Sequence, residues 1–127
     1  MRIMQMALNK TDKENKFIYK VCDRNLWLES LKVGVFVGAE IDLNDGFIHF
    51  STANQVHESA AKHRTGEAQL VLVACDPKQL GNHLKWEEAR GGQLFPHFYG
   101  EIPMSAVLWT LPLPLDENGF HVFPELT

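Results

Sequence analysis

The pattern of apolar and polar positions along the chain predicts five strands. Phe17 to Val21 alternates and is rich in aromatic and β-branched side chains, which is typical of a strand. Leu70 to Cys75 is a continuous apolar run, which indicates a central strand covered on both faces. Shorter apolar stretches predict strands at Phe47 to Phe50, Leu84 to Glu87 and Met104 to Leu111. Prolines follow the last of these closely, so a central position in a sheet is not expected for it.

A first helix is predicted directly after the first strand. Asp23 is a good N-terminal cap, and an apolar stripe at three- and four-residue spacing follows, formed by Leu26, Trp27 and Leu31. Gly34 provides the stop signal. We expect this helix to pack on the sheet.

A second helix is predicted after the strand at Phe47. Thr52 and Gln55 have the spacing of a capping box, which marks the start of a helix. The helix directs Val56 and Ala60 inward and ends near Gly66.

Glycines mark the connecting segments. Asn44 to Gly46 predicts a tight turn, because Gly46 can adopt a positive φ. Gly91 and Gly92 interrupt the pattern, and a dense polar and aromatic stretch follows from Phe95 to Gly100. We expect this stretch to be a loop.

The size and composition are those of one ordinary globular domain. The chain has 127 residues, of which 45% are hydrophobic and 22% charged. The order of elements predicts a single-domain α+β fold with a small mixed or antiparallel sheet and two main helices. Residues 1–16 are polar and without periodicity, so they are expected to form a flexible extension before a domain at residues 17–127.

The net negative charge argues against one class of partner, nucleic acids. A formal net charge of -4 provides no basic surface, so a nucleic-acid partner is not expected. No stretch resembles a membrane span, and the N-terminal residues lack the apolar centre of a signal peptide, so we expect a cytoplasmic location. Cys22 and Cys75 each end an apolar run and are expected to be buried thiols. The sequence leaves the oligomeric state open.

Common catalytic and metal-binding motifs are absent from the sequence. His57 and Glu58 resemble the start of H-E-x-x-H, but the next histidine is His63, six residues after His57 and on another helical face. The chain has neither G-x-S-x-G nor G-x-G-x-x-G. We therefore expect no metal site, no serine nucleophile of that kind and no classical nucleotide-binding loop.

A first candidate site lies where the predicted strand at Phe47 to Phe50 meets the second helix. His49, Ser51 and Thr52 provide an imidazole and two hydroxyls that can hydrogen-bond a sugar or an amide. In the structural alternative, Ser51 or Thr52 caps the helix and His49 is a half-buried residue. The spacing alone favours that alternative.

A second candidate site lies around the aromatic stretch. Gly91 and Gly92 permit close approach of the backbone to a ligand, and Glu87, His97 and Tyr99 offer charge, proton transfer and a flat face. In the structural alternative, the aromatic residues form a small core that fixes the loop. The two interpretations carry similar weight.

Five segments in this order resemble the DUF952 family. They are F-I-Y-K-V-C at Phe17 to Cys22, D-G-F-I-H-F-S-T at Asp45 to Thr52, L-V-L-V-A-C-D-P at Leu70 to Pro77, L-K-W-E at Leu84 to Glu87, and G-G-Q-L-F-P-H-F-Y-G-E-I-P at Gly91 to Pro103. The resemblance runs from Phe17 to Leu111, and the last segment is the most specific. The fold of this family resembles that of the ADP-ribosyltransferases, most plainly the NAD-dependent RNA 2'-phosphotransferases.

The resemblance implies positions for a site. Tyr19 and Lys20 fall on the first motif of those enzymes, and His49 and Ser51 fall on the second, while Glu87 lies near the third. Lys20 departs from the family pattern, in which histidine is common. A lysine donates hydrogen bonds but cannot offer the acceptor of a neutral imidazole.

The resemblance also implies a function, with NAD as co-substrate and ADP-ribosyl transfer to an unknown acceptor. In this hypothesis His49 and Ser51 bind the ribose and the amide, Tyr19 and Tyr99 contact the ring, and Glu87 stabilises the cationic transition state. The first alternative is a non-catalytic module that binds a nucleotide-like small molecule. The second is a structural protein whose aromatic stretch contacts a partner.

Overall fold

The longest strands form an antiparallel sheet. In the computed structural model, which describes residues 16–126, β1 (Ile18–Asp23), β4 (Leu70–Cys75) and β8 (Val107–Leu113) pair in the order β1-β4-β8. Every side chain of β4 is buried, so the predicted central strand covered on both faces is confirmed. The expected N-terminal extension lies, apart from Lys16, outside the described residues.

Two smaller antiparallel sheets complete the strand arrangement. β3 (Ile48–His49), β6 (Leu94–Phe98) and β5 (Leu84–Glu88) pair in the order β3-β6-β5. β2 (Val35–Phe36) pairs with β7 (Ile102–Pro103).

The loop predicted from Phe95 to Gly100 is wrong, because most of it is the central strand of the second sheet. β6 has β3 on one side and β5 on the other, and its residues from Phe95 to Phe98 are buried. Pro96 cannot donate a backbone hydrogen bond, but its carbonyl accepts one from Phe50 N–H at 3.0 Å. Pairing on both edges therefore outweighs the local turn signals.

The helices lie between these strands. They are α1 (Arg24–Val33), α2 (Glu40–Asp45), α3 (Ala53–His63) and α4 (Pro77–Leu80). Single 3₁₀ turns occur at Gly81–His83, Arg90–Gly92 and Met104–Ala106. The chain is thus a single α+β domain with antiparallel sheets, and α1 and α3 are the two longest helices within residues 16–126.

The two predicted helices are confirmed with small differences. α1 begins after Asp23 and ends at Gly34, which has a φ of 99°. Trp27 is buried, whereas Leu31 is 50% exposed and does not belong to the buried stripe. α3 begins at Ala53, where Gln55 Oε1 accepts a hydrogen bond from Thr52 N–H at 3.0 Å.

Helix α2 was missed, and the tight turn predicted at Asn44 to Gly46 is its last turn. Gly46 ends the helix with a φ of 86°. The only buried residue of α2 is Asp42, while Ile41 and Leu43 are 60% and 63% exposed. The helix therefore has no apolar stripe that a sequence pattern could reveal.

The hydrophobic core lies on both faces of the first sheet. One face carries Ile18, Cys22 and Val73 against Trp27, and the other carries Tyr19, Leu72 and Ala74 against Val56. Cys22 and Cys75 are free, buried thiols as expected, and burial raises the pKa of each to about 12. Among the described residues, no helix is long and apolar enough to cross a membrane.

Candidate functional site

A cleft of about 720 Å³ opens between the two larger sheets, α2 and α3. Its volume lies within the range of small-molecule sites, roughly 300–1,000 Å³. Five of the residues predicted from the sequence line it: Tyr19, Lys20, His49, Ser51 and His97. Thr52, Glu87 and Tyr99 are not among its lining residues.

Backbone pairing brings these segments together. Tyr19 and Ser51 exchange two backbone hydrogen bonds of 2.8 Å, which join the first sheet to the second. His49 lies opposite His97 in the β3-β6 pair, and the two ring centroids are 5.7 Å apart. The strand end at His49 and the aromatic stretch therefore line one cleft.

Beside this cleft, Asp42 forms a buried cluster of charges. Its carboxylate accepts hydrogen bonds from Lys20 Nζ at 3.1 Å, from His49 Nδ1 at 2.6 Å and from the backbone N–H groups of Ala39 and His49 at 2.7 and 3.0 Å. His49 Nε2 lies 2.9 Å from an oxygen of Asp45.

These contacts change what Lys20 and His49 can do. Lys20 Nζ lies 3.1 and 3.0 Å from the two oxygens of Asp42 and also donates to the backbone oxygen of His49 at 3.1 Å. Both side chains thus already have strong partners within the protein. Their contribution is to fix α2 and β3 at the edge of the cleft.

Asp42 is held in its ionised state by its neighbours. Burial alone would raise the pKa of this carboxyl group, but the hydrogen bond from His49 and the charge of Lys20 outweigh it. Together they lower the pKa from 3.8 to about 2.

We expect Asp42 to contribute to unfolding in acid. Because its pKa is lower in the folded protein, the stabilisation is complete above about pH 4 and is lost as the pH falls through about 2; the shift corresponds to about 2 kcal/mol. Denaturant titrations at pH 5 and pH 2 measure the loss. In Asp42→Asn, which cannot titrate, the loss should be smaller by that amount. An equal loss in both proteins would contradict this assignment.

A second hydrogen-bonded group orients His97. Glu87 Oε1 accepts from His97 Nδ1 at 2.7 Å and from the Tyr99 hydroxyl at 2.8 Å. These two hydrogen bonds lower the pKa of Glu87, and the bond to Glu87 raises the pKa of Tyr99. With Nδ1 donating to the carboxylate, the neutral imidazole has its acceptor on Nε2.

Phe47 completes the packing of the two histidines. Its ring stacks on His97 with centroids 4.1 Å apart, and its centroid lies 4.6 Å from that of His49 and 5.4 Å from that of Tyr99. His97 is only 6% exposed, so its ring is fixed by packing as well as by Glu87. An imidazole oriented by a carboxylate in this way can accept or donate a proton in the cleft.

One wall of the cleft was missed by sequence analysis. Val56, Ser59, Ala60 and His63 of α3 line it, at the spacing of one helical face, and Arg64 follows them. Ser51 Oγ donates to Ser59 Oγ at 3.4 Å. The repeat of small and polar residues at three- and four-residue spacing is the signal that could have revealed this wall.

Metal ligation has no support in the part of the chain that is described. No group of three or more histidine, cysteine or acidic side chains within residues 16–126 is arranged to bind a metal ion. Lys20 and Arg64, the two permanent cations among the described lining residues, are paired with carboxylates.

Comparisons with known proteins give a family and a solved neighbour. The sequence model of the family described as "protein of unknown function (DUF952)" matches residues 21–110. The crystal structure of protein CC0527 from Caulobacter crescentus, a structural genomics target, is similar with 43% identity and a TM-score of 0.81, covering 84% of this chain and 93% of that one. The solution structure of CC0527 has 44% identity and a TM-score of 0.75, covering 83% and 90%. No curated protein matches significantly.

Proposed function

The chain belongs to the DUF952 family of proteins of unknown function, and we propose that it binds a nucleotide-like small molecule in the cleft. The observation that supports this most is the cleft itself, about 720 Å³ in volume and lined by Tyr19, Ser51 and His97. A concave site with apolar walls and a few fixed polar groups is the usual form of a small-molecule site. NAD is the first candidate ligand.

The proposed contacts follow from the lining residues. The hydroxyl of Ser51 and the imidazole of His97 hydrogen-bond the ligand, and Tyr19 provides an aromatic surface for its ring. Lys20 and His49 act by fixing α2 and β3, because their polar groups are engaged by Asp42. Glu87 orients His97 and is itself hydrogen-bonded by Tyr99, and Thr52 caps the start of α3.

A second candidate function adds catalysis, as ADP-ribosyl transfer from NAD to an acceptor on a fold resembling the ADP-ribosyltransferases. It is favoured by the bond of 2.7 Å between Glu87 and His97, which gives His97 the orientation of an acid–base group. Against it stands the position of Glu87, which is engaged by two side chains and does not line the cleft. Binding without turnover is therefore the better supported proposal.

A thermal-shift screen with NAD, ADP-ribose and nicotinamide tests the proposal. We expect at least one of them to raise the melting temperature, since a ligand at a hundred times its dissociation constant adds about 2.7 kcal/mol of stability. His97→Asn keeps a side-chain N–H donor near the position of Nδ1, which bonds Glu87, but removes Nε2. We therefore expect this variant to fold and to bind the ligand about tenfold more weakly or worse.

His83→Asn is the matched control, because His83 is exposed and outside the lining of the cleft. This variant should bind as the unchanged protein does. Absence of a shift with all three compounds at millimolar concentration would contradict the proposal. So would equal affinities of His97→Asn and His83→Asn.

A further inference from the structure

We infer that the part of the ligand buried in this cleft carries no phosphate and is either uncharged or positively charged. The inference rests on the proposed function, since it specifies the ligand of the same cleft. It follows from the way in which carboxylates already bind Lys20 and Arg64, the two permanent cations among the described side chains that line the cleft.

The ammonium group of Lys20 has its partners inside the protein. It lies within hydrogen-bonding distance of both oxygens of Asp42 and of the backbone oxygen of His49, at 3.0 to 3.1 Å. An ammonium group has three N–H donors, so these acceptors account for all of them. A phosphate could reach Lys20 only by displacing a carboxylate that is 1% exposed.

Arg64 also lines the cleft and is engaged by carboxylates. Its Nε and Nη2 donate to the two oxygens of Glu67 at 3.1 and 3.0 Å, which is a bidentate pair, and Nη2 also donates to Asp23 at 2.9 Å. One guanidinium is thus shared between two carboxylates. Negative charge is therefore in excess within this group of three side chains.

The charged groups of the site, counted together, also carry a negative net charge. Among the described side chains, two permanent cations line the cleft, Lys20 and Arg64, together with three carboxylates, Asp23, Glu40 and Glu67. Three more carboxylates lie outside the lining and bind Lys20, His49 or His97: Asp42, Asp45 and Glu87. Even with His49, His63 and His97 all protonated, these described groups carry five positive and six negative charges, three of the negative ones on carboxylates outside the lining.

The C-terminal end of α3 adds locally to this potential. The last turn of α3 faces the cleft with His63, and Arg64 is its C-terminal cap. The C-terminal end of a helix carries partial negative charge on its free carbonyl groups. The walls also offer the rings of Tyr19, Phe50 and Phe95, whose faces attract cations.

The charges and aromatic rings of the cleft favour ligands without a phosphate over their phosphorylated relatives. A phosphate that enters the cleft loses its hydration and meets a net negative field. Among the described lining residues, both permanent cations, Lys20 and Arg64, are already bound to carboxylates. A flat, uncharged or cationic ring would meet aromatic surfaces and carboxylates instead. If NAD binds, its nicotinamide riboside half enters and its pyrophosphate stays at the mouth.

The decisive comparison uses pairs of ligands that differ by one phosphate. Nicotinamide riboside and nicotinamide mononucleotide form one pair, adenosine and adenosine monophosphate the other, each titrated calorimetrically into the whole chain. We expect the phosphate-free member of the binding pair to be tighter by about tenfold. Equal or tighter binding of the phosphorylated member would overturn the inference while leaving the proposed function intact. If none of the four compounds binds at millimolar concentration, the inference fails, whereas the proposed function is decided separately by the screen with NAD, ADP-ribose and nicotinamide.

A charge reversal at the rim tests the cause. Glu40 lines the cleft and is exposed, so Glu40→Lys should bring the affinities of the two members of the pair closer together by about threefold or more. Glu29→Lys makes the same change on the exposed surface of α1, outside the lining of the cleft. Should both variants alter the ratio equally, selection by the local charges of the cleft is wrong.

Discussion

Replacing Asp42 by alanine is expected to destabilise the folded protein by about 3–5 kcal/mol, because it leaves the buried ammonium of Lys20 without its counter-ion. The substitution also removes the acceptor for two backbone N–H groups, those of Ala39 and His49. Few other contacts fix α2, since its apolar residues Ile41 and Leu43 are exposed. Loss of α2 from the edge of the cleft should accompany the loss of stability.

Denaturant unfolding of Asp42→Ala measures this effect, and Asp45→Ala is the matched control. Asp45 lies on the same helix and contacts His49 Nε2, but its side chain is 48% exposed. An exposed pair of this kind contributes less than about 1 kcal/mol, so Asp45→Ala should have a small effect. Similar losses in the two variants would show that the buried cluster is not what stabilises α2.

Truncation of Leu72 is expected to have an effect of comparable size. Leu72 lies in the middle of β4, the central strand of the first sheet, and is 0% exposed. Leu72→Ala removes buried methyl groups and leaves a cavity between β4 and α3, for which the usual cost is about 2–5 kcal/mol.

The direct cross-strand partner of Leu72 provides the control. Leu111 of β8 pairs with Leu72 but is 41% exposed, so the same truncation there should cost about 1 kcal/mol or less. Both variants are compared by their midpoints of denaturant unfolding. Equal midpoints would mean that β4 is not the core strand that the structure describes.

The elements that the sequence predicted well have local signals. β4 is a continuous apolar run, and α3 has both a capping pair at Thr52 and Gln55 and inward positions at Val56 and Ala60. In these segments, local preference and tertiary packing agree, so the pattern alone is sufficient.

The elements that the sequence missed are stabilised by contacts between distant residues. α2 depends on the bond between Asp42 and Lys20, which are 22 positions apart, and its exposed Ile41 and Leu43 hide its periodicity. β6 follows two glycines and contains Pro96, which are turn signals, yet pairing with β3 and β5 makes it a strand. Tertiary structure outweighs local preference in both.

The candidate site shows the same division. His49 and Ser51 could be assigned to one candidate site and His97 to another, because a polar strand end and an aromatic stretch are visible in the sequence. Their meeting in one cleft depends on the pairing of β3 with β6. Two sets of contacts depend on the fold and could not be predicted from the sequence. Asp42 binds both Lys20 and His49, and Arg64 binds Asp23, which is 41 positions away. The roles of the predicted residues as ligand contacts remain predictions.

The most direct test of the central claim, binding in this cleft, is a two-dimensional ¹⁵N–¹H NMR titration with nicotinamide riboside, which reports the location of binding residue by residue. We predict that shift changes will concentrate at the backbone amides of Ser51, His63 and His97. The backbone amides of Leu111 and Leu113, beside a second cavity of about 430 Å³, should remain unchanged. Saturable changes at the second cavity, or no change anywhere at millimolar ligand, would contradict the proposal that the cleft between α2, α3 and the two sheets is the functional site.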